Sequence, residues 1–172
     1  MLGSRVRASS GSLSTQIITN FKPSLNMDTK NFKQLGEIGE RIAIGELSKF
    51  GIDIMLPMSD NLPFDFVIFR DNKFYKCQVK TSDTVSKYNS IRFSITSNNW
   101  NKGTTYKYTK EDFDILICCD LKTIYLFKFS DISGKSNIYI RKEATKNGQS
   151  KGIIFAKDCI ISESRLSYVF SS

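Results

Sequence analysis

Residues 62–81 read LPFDFVIFRDNKFYKCQVKT, and their pairing decides the fold. Two apolar, β-branched and aromatic runs flank Asp71 and Asn72, residue types that tolerate the left-handed geometry at the centre of a two-residue hairpin turn. With that turn, Arg70 faces Lys73 and Asp65 faces Gln78. The Cβ atoms of Asp65 and Gln78 then lie about 4.5–5.5 Å apart, and Lys80 falls diagonally on the same face. Phe64, Phe66 and Ile68 share the opposite face with Tyr75, Cys77 and Val79, which predicts core. A longer loop would slip the register and undo this alignment.

Asp65 is the anomaly in this ribbon. An ionised carboxylate buried without a partner costs several kcal/mol, so a chain avoids it, pairs it or uses it to hold a metal. A plain cross-strand ion pair of Asp65 with Lys80 on a solvated face is one reading. A site is the other.

Working outward, TKNFKQLGEIGERIAIGELSKF (29–50) reads as a helix, with Asp28 or Thr29 as N-cap and Gly51 as stop. Gly36, Gly39 and Gly45 lower its propensity but permit close approach by another backbone or a ligand. Strands are expected at 52–56, 63–69, 73–81, 90–96, 113–119, 123–129, 137–141 and 152–156, with some helical turn between Asn98 and Asp112. The expected architecture is α/β, in the sense of an α+β helix laid on a central mixed β-sheet. Residues 1–27 contain three basic residues, no acid and many Ser and Thr. They are compatible with a flexible basic arm, a transit peptide or sequence upstream of a core over 28–172.

Composition narrows the chemistry. No histidine occurs among the 172 residues, which removes histidine triads, histidine-ligated zinc and histidine general bases. Cys77, Cys118, Cys119 and Cys159 lack C-x-x-C spacing and three lie in apolar runs, so reduced buried thiols and an intracellular protein are expected. No apolar run approaches the roughly 18 residues of a membrane span. A net charge of +8 and a pI near 9.3 fit a polyanionic partner, nucleic acid or an anionic membrane surface, and equally a generally basic protein. Seven basic residues, Arg141 and Lys142 among them, lie between Lys122 and Lys151 with only Asp131 and Glu143 opposing, a pattern suited to phosphate contacts.

A fourth site residue comes from the helix. Ala43, Ile44, Leu47 and Phe50 form an apolar stripe headed by Glu40, whereas Glu37 shares a flank with Arg41 at i, i+4, the usual setting of a surface pair. Glu40 is the expected partner of the ribbon, with Glu37 as fallback. Glu40, Asp65 and Gln78 together offer oxygens suited to a hard cation such as Mg²⁺, with Mn²⁺ as a substitute, and Lys80 adds positive charge. That constellation suits phosphoryl transfer. Trp100, Lys102, Tyr106, Lys107 and Tyr108 form a basic, aromatic cluster that either touches DNA backbone and bases or caps the core with its lysines in solvent.

These residues resemble the PD-(D/E)XK nuclease superfamily, whose core is a helix followed by a hairpin carrying an acid and then an acid-x-Lys triplet. Pro63-Phe64-Asp65 stands for the first half and Gln78-Val79-Lys80 for the second. GEIGER (36–41) resembles the G-x-x-x-E helix of archaeal Holliday-junction resolvases and intron-encoded homing endonucleases. Q-V-K-T (78–81) resembles the branch in which glutamine replaces the middle acid, found among group I intron homing endonucleases, and the segment from Thr105 to Phe129 is similar as well. The resemblance implies hydrolysis of double-stranded DNA, metal held by Asp65, Gln78 and Glu40, a Lys80 that orients water and offsets charge on the phosphate, and a homo-oligomer, dimer or tetramer, since a double-strand cut needs two sites. A structure-selective junction nuclease and a DNA-binding module that has lost catalysis with its second acid are the competing readings. The neutral Gln78 and the phenylalanine between proline and Asp65 are departures from the common motif.

Overall fold

The computed structural model describes residues 32–171, apart from 60, 87–88, 100–102, 145–147 and 149. The segment 1–27 and the expected caps Asp28 and Thr29 lie outside the described residues.

In chain order the elements are α1 (Phe32–Ser48), β1 (Asp53–Met55), β2 (Phe66–Arg70), β3 (Lys73–Thr81), β4 (Ser90–Ser94), β5 (Thr96–Asn99), β6 (Thr104–Lys107), β7 (Ile115–Cys119), β8 (Ile124–Lys128), α2 (Phe129–Ile132), β9 (Asn137–Arg141), β10 (Ile154–Phe155), α3 (Ala156–Cys159) and α4 (Glu163–Phe170). A five-stranded sheet runs β1-β2-β3-β7-β8, a three-stranded one β10-β9-β4, and β5 pairs with β6. The large sheet is mixed, as expected: β3 and β7 are parallel and its other pairs antiparallel.

The ribbon adopts the expected register, with Arg70 opposite Lys73 and Phe66 opposite Cys77. Asp71 and Asn72 have φ of 52° and 58°, the left-handed pair that a type I′ turn needs and that matches the twist of the flanking strands.

The continuous apolar run of β7, buried at all five positions, signals a strand covered on both faces, and two cores result. On one face Cys77, Val79, Ile115, Ile117 and Leu126 pack against Ala43 and Leu47 of α1 and Leu166, Val169 and Phe170 of α4. On the other, Leu116, Cys118 and Phe127 pack against Ile91 and Phe93 of β4 and Ile138 and Ile140 of β9. Each large apolar side chain removed from water here contributes about 1.5–3 kcal/mol. All four cysteines are buried and unpaired, and burial raises each thiol above its ordinary range, Cys159 to about 12.

Three expectations need correction. Phe64 packs in the second core rather than with Phe66 and Ile68, because the chain bends over residues 61–65 and strand alternation begins only at Phe66. The helical turn expected between Asn98 and Asp112 is instead the β5–β6 hairpin, with Ser97 opposite Tyr106, consistent with the strand preference of its threonines and tyrosine. The expected strand 90–96 ends at Ser94, and a second begins at Thr96.

Candidate active site

The site grows from the end of the β2–β3 ladder. Asp65 donates its backbone N–H to the Cys77 carbonyl at 2.8 Å. Beyond that bond its carboxylate takes over as acceptor: Oδ2 receives the Val79 N–H at 2.5 Å and the Gln78 amide at 2.6 Å. The Gln78 nitrogen lies between two acceptors, Asp65 Oδ2 and the Val79 carbonyl at 3.1 Å, which fixes the orientation of the amide because only its NH₂ end can donate. Gln78 is 6% exposed. Burial raises the Asp65 pKa above the usual carboxylate range, against the opposing pull of the Val79 N–H, the Lys80 charge and the Gln78 amide.

Lys80 is held by an aromatic platform. Its Nζ donates to the Tyr108 hydroxyl at 3.0 Å and stands 4.9 Å from the centre of the same ring. Tyr108 packs edge-on against Phe113 and Tyr106. Tyr106 in turn donates to Asp112 at 2.9 and 3.0 Å. Asp112 is 8% exposed; burial raises its pKa, but the Thr109 N–H, the Tyr106 hydroxyl and the Thr109 hydroxyl outweigh it and hold the carboxylate below its ordinary range. The chain Asp112, Tyr106, Tyr108, Lys80 therefore ends on the ammonium.

The hairpin register sets the Gln78 amide against Asp65 Oδ2, and the Lys80 charge acts on the same carboxylate. Tyr108, expected to touch DNA or cap the core, packs on the second core and holds Lys80. Sequence reasoning missed that contact and the role of Asp112, since nothing in the chain's periodicity links position 108 to position 80. Lys107 and Tyr106 are exposed on β6; Trp100 and Lys102 lie outside the described residues.

Glu40 is half-buried on α1. Gly39 beside it is buried against β3: a Cβ there would meet the Thr81 hydroxyl at 1.8 Å. Helix α1 covers the face of β3 that carries Cys77 and Val79, whereas Gln78 and Lys80 alternate to the other. Glu40 follows Gly39 on α1, so the helix brings its backbone to the end of β3 beside Thr81. Glu37 pairs with Arg41 at 3.6 Å on the surface. In the basic run, Lys142 Nζ lies 2.7 Å from Asp120, Arg141 donates to the Glu143 carbonyl at 3.1 Å, and Lys128 and Lys135 donate to Ser171 and to the Asp131 carbonyl. Their charges are spread over several elements rather than gathered on one.

The ordered geometry agrees with a comparison by sequence. A model of the PD-(D/E)XK endonuclease family matches residues 29–159. The chain belongs to that family. Protein 5.3 of Escherichia phage T7 is 26% identical over 107 residues, 62% of this chain and 88% of that protein. The solved structure of a bacterial homing endonuclease, I-Ssp6803I, matches with a TM-score of 0.62 over 76% of this chain and 88% of that one, at 23% identity, a likeness of fold.

For this PD-(D/E)XK family member the donor set fits a hard divalent cation. Asp65 is a carboxylate that burial leaves short of compensating charge, and its Oδ1 and the Gln78 Oε1 take no part in the bonds described above. Oxygen donors of this kind suit Mg²⁺ or Mn²⁺. Among the described residues, no three His, Cys, Asp or Glu side chains gather as a metal cluster, so a cation here would rely on the amide and on water. Also among the described residues, no helix is long and apolar enough to cross a membrane.

Proposed function

We propose that this nuclease is a divalent-metal-dependent endodeoxyribonuclease of the homing type, cutting double-stranded DNA as a homo-oligomer. The observation that carries the reading is the pairing of Asp65 Oδ2 with the Gln78 amide at 2.6 Å at the end of one hairpin, with the Lys80 charge acting on the same carboxylate. Asp65 and Gln78 would hold the cation, with Glu40 contributing through water from the end of β3. When bound, a divalent cation lowers the pKa of its water and offsets charge developing on the phosphate. Lys80, positioned by Tyr108, orients the attacking water and stabilises the crowded phosphorane anion.

Magnitudes separate this role from a plain ion pair. A unit charge at about 4 Å in an effective dielectric of 20 is worth about 4 kcal/mol, or roughly a thousandfold in rate. A surface pair is worth about 1 kcal/mol or less. The purified chain should therefore nick and linearise plasmid DNA in Mg²⁺, lose activity in EDTA, and lose about a thousandfold in rate on Lys80→Ala. Intact plasmid with wild-type protein across Mg²⁺ and Mn²⁺ would sink the reading. One observation favours a second reading, a DNA-binding module without chemistry: the Gln78 amide offers Asp65 its nitrogen. That reading requires salt-sensitive binding indifferent to chelators, and metal-dependent cleavage excludes it.

A further inference from the structure

We infer that the outward face of the β4–β9 ribbon reads base sequence in the DNA major groove beside the cut; the inference rests on the nuclease reading above. The register pairs Ser90 with Arg141, Arg92 with Tyr139 and Ser94 with Asn137 on one face. The alternate residues Ile91, Phe93, Ile138 and Ile140 are at most 1% exposed on the other. One side is thus committed to the core and fixed in register. The other carries two guanidiniums, a carboxamide, hydroxyls and a tyrosine that is 57% exposed.

The chemistry of that face is that of base-edge recognition. Arginine engages the O6 and N7 of guanine, asparagine the N6 and N7 of adenine, and serine either donors or acceptors. Arg92 donates through Nε to Asn137 Oδ1 at 2.9 Å, a bond that fixes the guanidinium plane while using one edge of the fork. The terminal nitrogens are those that a guanine engages bidentately. β10 flanks β9 on its far side, so the part of this face offered to a major groove about 12 Å wide is the β4 side, where Arg92 and Tyr139 lie opposite each other.

Location supplies the second argument. Arg92 and Tyr139 line an open cleft of about 550 Å³ together with Ser82, Thr84, Ser86 and Ser90. None of these six is acidic. Ser82 lies two residues past Lys80 along extended chain, a span of roughly 7 Å and about two base-pair steps of 3.4 Å. A cleft lined from Ser82 onward is therefore within about two base-pair steps' reach of a duplex whose reacting phosphate lies at Asp65 and Lys80. The hydroxyls there suit backbone contact, and Arg92 suits base contact.

The test is a selection from randomised duplexes by the full chain in Ca²⁺, followed by titration of the enriched duplex and a scrambled one with wild type and Arg92→Gln. Arg92 is exposed, and a matching thermal midpoint shows that the variant folds. The expected result is a cognate affinity about tenfold to a hundredfold weaker, scrambled-duplex affinity within about threefold, and relaxed preference at one or two positions within about six base pairs of the cut. Equal weakening on both duplexes, no change on either, or a selection that enriches no sequence would each overturn the inference. Plasmid cleavage in Mg²⁺ keeps the two readings apart. Cutting without sequence preference leaves the nuclease standing and removes the reading face; selection without cutting does the reverse.

Discussion

Gln78 is the residue at which the site departs from two carboxylates, and its environment shows the consequence. Its amide nitrogen bonds to Asp65 Oδ2 at 2.6 Å, so Gln78→Glu would set two carboxylates against each other in a buried site and drive up the pKa of one. We expect Gln78→Glu to melt lower than wild type in EDTA at neutral pH, by about 1–3 kcal/mol of lost bonding, and to gain more stability from added Mg²⁺ or Mn²⁺. Thermal melts with and without metal check both halves. Tyr108→Phe isolates the other contact: the ring stays over Lys80 while the acceptor hydroxyl at 3.0 Å goes. It should lower kcat about tenfold, on the scale of one hydrogen bond to a charged group, with KM for DNA nearly unchanged. The pairing that sets Asp65 beside Gln78 was legible because hairpin register follows from the turn residues. Tyr108 was not, because its meeting with Lys80 depends on how the chain returns to the sheet after β6.

Helix α1 shows how an element can be read correctly and its glycines only in part. Nothing lies within 4 Å of a Cβ at Gly36 or Gly45, but at Gly39 the Thr81 hydroxyl would be 1.8 Å away. That hydroxyl is buried and, among the described residues, has no hydrogen-bond partner, so the close approach is made by van der Waals contact of helix on strand. Gly39→Ala gains about 1 kcal/mol of helix propensity but must push α1 off β3, an overpacking cost of about 1–3 kcal/mol. We expect net destabilisation, read by urea melts, together with weaker catalysis because Glu40 moves with the helix; adding Thr81→Ala should restore part of both. Helix α4 was missed although its signals are present. Ser162 caps it by accepting the Arg165 N–H at 3.2 Å, and Leu166, Val169 and Phe170 form a buried helical stripe. Eight residues make a weak period beside the long helix, and only packing on the sheet makes the element stable.

Over the whole molecule, the apolar runs of β7 and β8 made the strands of a mixed sheet legible, but its covering on both faces was not, because the second core needs distant strands that no local pattern assigns. Where the chain turns between those two strands, the electrostatics predict its acid limit. Asp120 is 8% exposed; it accepts from the N–H groups of Lys122 and Thr123 and from Tyr125, and pairs with Lys142 from β9's end at 2.7 Å. Burial raises its pKa, but Lys142 and the two N–H groups outweigh that and leave it lowered, as is Asp112 under Tyr106. A carboxylate with a depressed folded value contributes stability that is fully present above its unfolded pKa of about 3.9 and is lost as pH falls through the folded value. The wild-type midpoint should therefore owe these two groups little change between about pH 7 and 5, then drop below about pH 4. Asp120→Asn should lower the midpoint at neutral pH by about 4–8 °C, from about 2 kcal/mol of charge-assisted bonding, and the gap from wild type should close as acid protonates Asp120. A gap that stays constant down to about pH 2 would show that Asp120 acts through shape alone, and that the joint between the two sheets is not held by its charge.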